Sequence, residues 1–118
     1  MTLIKIAIKM KKEINLSDIV SRSQRIREHY HLLEQQYHGS KWTVEEDALA
    51  FLTDAALVGR LTMSQQGRWP KGQETIFELE HKLGECIWWL IILADRMDIN
   101  IDEALETFLG KTEKLLDK

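Results

Sequence analysis

Residues 74–97 read ETIFELEHKLGECIWWLIILADRM, and the fold turns on how this stretch is read. From Cys86 to Ala94 it holds nine apolar residues without a break. A helix that is apolar all round must be enclosed all round, and nine residues are far short of the roughly 20 needed to cross a bilayer. The preceding half spaces its charges around a thin stripe of Ile76, Phe77 and Leu83. The stretch therefore predicts the central helix of a bundle, with a charged entry half and a buried exit half. Trp88 and Trp89 are adjacent and so point about 100° apart on a helix. Ile87, Leu90, Ile91 and Leu93 fill the other directions. Three further helices of one short chain are too few to cover a fourth on every side. A second subunit is the expected lid, in a homodimer or higher homo-oligomer, with Trp88 and Trp89 as interface candidates.

Around this helix the chain reads as one all-α domain, residues 1–118, a four-helix bundle with a short N-terminal arm over 1–14. Of its 118 residues, 44% are hydrophobic and 30% charged, with one proline, which fits a helix-rich globular chain and not a disordered one. In the arm, Ile4, Ile6, Ile8 and Met10 alternate as in a strand, while Leu3, Ala7, Met10 and Ile14 sit at helical spacing. The three β-branched isoleucines favour an extended segment. Lys5 and Lys9 interrupt it and no small-residue cleavage site follows, so no signal peptide is expected and the expected location is cytoplasmic, with no membrane partner.

A first helix is expected from a Ser17 N-cap to Gly39, with Ile19, Ile26, Leu33 and Tyr37 at roughly heptad spacing and Tyr30 and Leu32 widening the face. Its histidines, His29, His31 and His38, lack zinc-ligand spacing and read as solvated or capping. Thr43-Val-Glu-Glu46 is a capping box that opens a second helix ending at Gly67, with Trp42 placed to staple onto it. Leu49, Leu52, Ala56, Gly59 and Met63 make one face of that helix, Phe51 and Val58 another. Residues 68–72, RWPKG, form the loop to the central helix. Asn100 caps a fourth helix whose apolar face is Ile101, Ala104, Leu105, Phe108, Leu109 and Leu116.

The single cysteine, Cys86, excludes a disulfide within the chain and reads as an inert buried thiol. Net charge is −3, spread unevenly: residues 1–27 carry seven Lys/Arg against two acids, and the remainder nine against seventeen. A basic end on an acidic body suits the acidic body of a second subunit. It would also suit nucleic acid, but no RNP, zinc-finger or helix-turn-helix signature is present, so nucleic acid is not the expected partner.

Asp47 and Asp54 are seven apart on the second helix, as are Glu78 and Glu85 on the central one. Each pair shares a helix face, and two such faces brought antiparallel can surround Mg²⁺ with oxygen ligands. The segments HG-x-x-W-x-x-E-x-x-x-x-x-F (38–51), LTDAALVGRL (52–61) and HKLGECIWWLIILADRMDINIDEAL (81–105) resemble the MazG-like all-α nucleotide pyrophosphohydrolases over residues 38–116. In that family an ExxE pair on one helix and an ExxD pair on the next hold the magnesium that orients a triphosphate and helps generate the attacking water. Carried over, the pairs fall on Asp54 and Leu57, and on Lys82 and Glu85. The resemblance thus implies Asp54 and Glu85 as metal ligands, with Asp47, Glu46 and Glu78 as helpers, and Leu57 and Lys82 as departures. A family lysine and asparagine near the nucleotide fall on Phe108 and Thr112. Lys111, Thr112 and Trp69 are the ligand-binding candidates.

Leu57 removes an oxygen ligand and Lys82 puts a cation where the metal would sit. Two positive charges about 4 Å apart repel by roughly 1–4 kcal/mol. Lys82 leaning toward Asp54, Glu78 or Glu85 would neutralise the cluster without metal, and Glu78 and Lys82 stand at i and i+4 as a surface ion pair would. The expected function is therefore a MazG-like helical protein, catalytically impaired, binding a nucleotide or other small ligand in a dimeric bundle. The alternatives are an active Mg-dependent nucleoside triphosphate pyrophosphohydrolase of the house-cleaning type and a non-enzymatic protein-interaction module.

Overall fold

The computed structural model describes residues 13–70 and 75–117, so the strand-or-helix question over residues 3–12 falls outside the described residues. Within them the chain is all-helical, without a strand: α1 Leu16–His38, α2 Val44–Gln65, α3 Thr75–Arg96 and α4 Ile101–Leu116.

The helix ends follow local chemistry. Asn15, not Ser17, caps α1: its side chain accepts from the Asp18 N–H at 2.8 Å, one orphan donor satisfied two residues earlier than the serine would allow. Gly39 closes α1 at φ 77°, a conformation that a Cβ penalises. The Thr43–Glu46 capping box is complete, with the Glu46 N–H donating to Oγ1 of Thr43 at 3.1 Å and the Thr43 N–H to Oε1 of Glu46 at 2.9 Å. Asn100 caps α4. After α3, Asp98 takes the left-handed conformation at φ 56° and the Ile99 N–H returns to the Ala94 carbonyl. An aspartate thus serves where glycine is usual.

The central helix α3 lies antiparallel to both α1 and α2. From its C-terminal end backwards, Arg96, Trp89 and Lys82 meet Asp47 and Asp54 of α2, while Asp95, Trp89 and Trp88 meet Gln24, Arg27 and Tyr30 of α1. The buried apolar residues, Leu79, Trp89, Ile91, Ile92 and Ala94, are all on α3.

The inward faces of the other helices differ from those the periodicity predicts. On α1 the buried residues are Ser23 and Arg27, and Ile26, Tyr30, Leu32, Leu33 and Tyr37 are exposed. On α2 the inner face carries Asp47, Ala50, Phe51, Asp54, Val58 and Ser64, while the stripe Leu49, Leu52, Ala56, Gly59 and Met63 faces out. No residue of α4 is buried. Nor is α3 enclosed all round, since Ile87 is 58% and Leu90 46% exposed. The physical reason is that the buried pairs of Asp47 with Arg27 and Arg96 turn these polar positions toward α3, whose own apolar residues form the core. No helix among the described residues is long and apolar enough to cross a membrane.

Candidate functional site

Two polar clusters stand side by side along α3. The deeper one is centred on Asp47, which is fully buried. Arg27 of α1 donates to it from Nη2 to Oδ1 at 2.7 Å and from Nε to Oδ2 at 3.3 Å, and Arg96 of α3 donates to Oδ2 at 2.8 Å. Arg27 also holds Glu34 at 2.7 Å, Glu34 accepts the Trp42 N–H, and Arg96 donates to the Trp42 carbonyl. One network therefore ties α1, α2, α3 and the α1–α2 turn. Burial alone would lower the Arg27 pKa, but its hydrogen bonds to Asp47 and Glu34 raise it overall. Burial likewise works to raise the Glu34 pKa, and the hydrogen bonds from Arg27 and Trp42 bring it below the usual glutamate value.

The shallower cluster contains the acids the sequence singles out. Lys82 donates to Oδ1 of Asp54 at 3.0 Å and to Oε1 of Glu85 at 2.8 Å, and the Trp89 indole donates to Oδ2 of Asp54 at 2.9 Å. Its hydrogen bonds to Glu85 and Asp54 raise the Lys82 pKa, keeping it cationic. Cys86 nearby has its pKa raised by burial, then by the charges of Asp54 and Glu85, as an inert thiol would.

These residues do not fit a magnesium ion. Both oxygens of Asp54 are engaged and the Lys82 ammonium sits between the two acids. The expected helpers are elsewhere: Asp47 is held by two arginines, and Glu46 belongs to the capping box. Glu78 lines a hollow with Leu57, Arg60, Phe77 and Lys82. Lys82 makes no ion pair with Glu78, so its i,i+4 pairing is replaced by the links to Glu85 and Asp54. Among the described residues no three His, Cys, Asp or Glu side chains group closely enough to hold a metal.

Trp69 lies under the Arg60 guanidinium at 4.2 Å from its ring centroid. Lys111 is exposed and Thr112 half-buried on α4. None of the three lines the cavity of about 670 Å³ between α1 and α3. That cavity is lined by Ile26, Tyr30, Trp42, Trp88 and Trp89, and by Arg27, Glu34, Glu80, His81, Gly84 and Glu85. Trp88 meets Tyr30 edge-on at 6.1 Å and Trp89 at 4.7 Å with a 58° tilt, while Arg27 lies 5.7 Å from the Trp89 centroid. Trp89 is buried within its own chain and Trp88 is half-buried in this wall.

Sequence reasoning missed Arg27, Glu34, Tyr30 and Arg96. The available signal was that Ser23, Arg27 and Glu34 share one face of α1, a polar stripe beside the apolar one. Set against protein-family models, curated proteins and solved structures, the chain matches none.

Proposed function

We propose that this chain is a MazG-like helical protein that has lost metal-dependent catalysis and acts as a dimeric binding protein, taking a small ligand into the α1–α3 cavity. The observation that carries this is Lys82, which bridges Asp54 and Glu85 and supplies within the chain the positive charge a magnesium ion would bring. A cavity of about 670 Å³ is within the usual range for small-ligand sites, which are mostly apolar with a few polar groups. The homodimer draws support from the apolar stripes that each helix leaves exposed.

The test pairs a magnesium titration by calorimetry with a screen of nucleoside triphosphates for pyrophosphate release. Neither metal uptake nor turnover is expected from the wild-type protein. Stoichiometric magnesium binding with pyrophosphate release would establish the active pyrophosphohydrolase instead. The double variant Leu57→Glu/Lys82→Glu, which restores acids at both departures, is expected to gain divalent-metal affinity. Unchanged affinity there would show that the two positions do not correspond to the family's ligands.

A further inference from the structure

The ligand class of the α1–α3 cavity follows from its walls and its charge. We propose that the cavity takes a small organic cation, a quaternary ammonium group on a small apolar body. This rests on the binding reading above and goes beyond it in naming the chemistry.

Aromatic rings dominate the wall: Tyr30, Trp42, Trp88 and Trp89. Tyr30 and Trp88 meet at 65° and Trp88 and Trp89 at 58°, so these aromatic residues form one continuous patch along the cavity. The face of an aromatic ring is the negative end of its quadrupole and attracts a cation, most strongly where water is excluded. The protein already uses this once, with Arg27 over Trp89.

The charge at the rim has the same sense. Three carboxylates line the cavity, Glu34, Glu80 and Glu85, against one guanidinium, Arg27. Arg27 is committed to Asp47 and Glu34, so it has little positive field left to offer an anion. Glu85 is shared by Lys82 and, at 3.9 Å, by His81. Glu80 has no ion-pair partner among the described residues and is exposed at the rim. A phosphate-bearing ligand would meet these carboxylates, and Arg27, the one Lys or Arg among the described residues lining the cavity, is already paired. Among the described residues no three His, Cys, Asp or Glu side chains group closely enough to hold a metal ion. A quaternary ammonium needs neither a ring of oxygen donors nor a retained hydration shell, and it suits aromatic faces with one unpaired carboxylate at the mouth.

The experiment compares charge isosteres by tryptophan fluorescence and calorimetry on the full chain: choline against 3,3-dimethylbutan-1-ol, which has the same shape without the charge. Choline is expected to bind saturably and about tenfold more tightly than the alcohol. Glu80→Gln, at an exposed position, is expected to weaken choline by about two- to fivefold and leave the alcohol unchanged. Trp88→Ala should abolish the preference, with circular dichroism confirming that the helices persist. Should that variant unfold, Tyr30→Leu at a half-exposed wall position takes its place. Equal binding of the two isosteres, no binding of choline, or displacement of choline by inorganic phosphate would each overturn the proposal. The pyrophosphate and magnesium measurements are independent of these, so the loss of cation selectivity and the loss of the non-catalytic reading are separate outcomes.

Discussion

Asp47 is enclosed in the protein and accepts hydrogen bonds from Arg27 of α1 and Arg96 of α3. Taking one partner from a buried ion pair leaves the others desolvated and uncompensated, which typically costs about 3–5 kcal/mol. Asp47→Asn keeps the shape and removes the charge, so it is expected to lower stability by an amount of this order in urea unfolding. A change below about 1 kcal/mol would mean that the network specifies geometry without stabilising it. His31 lies beside the same network. Burial, then repulsion from Arg27 and Arg96, holds its pKa below the ordinary imidazole value, against the opposing charges of Glu34 and Asp47. Its Nε2 is buried with no hydrogen-bond partner among the described residues. As pH falls through about 6.5, the unfolded chain takes up a proton that the folded chain resists, so stability falls with pH there. Glu34, whose folded pKa is depressed, adds a loss in the same direction at lower pH, below the ordinary glutamate range. Urea midpoints are therefore expected to drop between pH 7.5 and 5.5, and the drop should shrink in His31→Phe. Parallel curves for the two proteins would remove His31 as the cause.

At the scale of the elements, the positions of the helices were legible and their orientations were not. Thr43, Glu46, Asn100 and Gly39 announce their ends through side-chain oxygens and a left-handed glycine, both local effects. Thr43→Ala removes the hydroxyl that accepts the Glu46 N–H, with an expected loss of about 1 kcal/mol, measurable by thermal unfolding. Which face turns inward is decided elsewhere. On α2, Leu49, Leu52 and Met63 outclass Asp47 and Ser64 in hydrophobicity, yet the polar pair is buried. A periodicity argument assigns the more apolar stripe to the core, and here that stripe is exposed. The candidate site was legible in the same partial way. Lys82 among the acids led to the expectation of a neutralised cluster, and Lys82 does bridge Asp54 and Glu85 across facing helix surfaces. Arg27 and Arg96 were not legible, since their role comes only from the antiparallel register that brings α1 and α3 to Asp47.

At the scale of the whole molecule, the exposed apolar residues line up as stripes. Ile76, Leu83, Ile87 and Leu90 run along α3, Leu33 and Tyr37 along α1, and Leu105, Phe108 and Leu109 along α4. Singly scattered apolar residues need no explanation, whereas contiguous apolar surface marks a contact with something else. α4 makes the case most plainly: it has 16 residues and buries none of them. A helix of that length is marginal alone in water, so its apolar face needs a second surface. A second copy of the chain offers several, and a two-fold axis lets each copy cover the other. Arg22 and Arg25, which line an outer groove of α1, can then meet acidic residues of a second copy, which would make the association weaker in high salt. Sedimentation at micromolar concentration is expected to show a dimer or larger species, with thermal stability that rises with protein concentration. Ile87→Glu places a charge on a residue already 58% exposed within its own chain, so it should spare the helical content and shift the species toward monomer. A wild-type chain that sediments as a monomer, with stability independent of concentration, would rule out the homodimer and leave these stripes to a different partner.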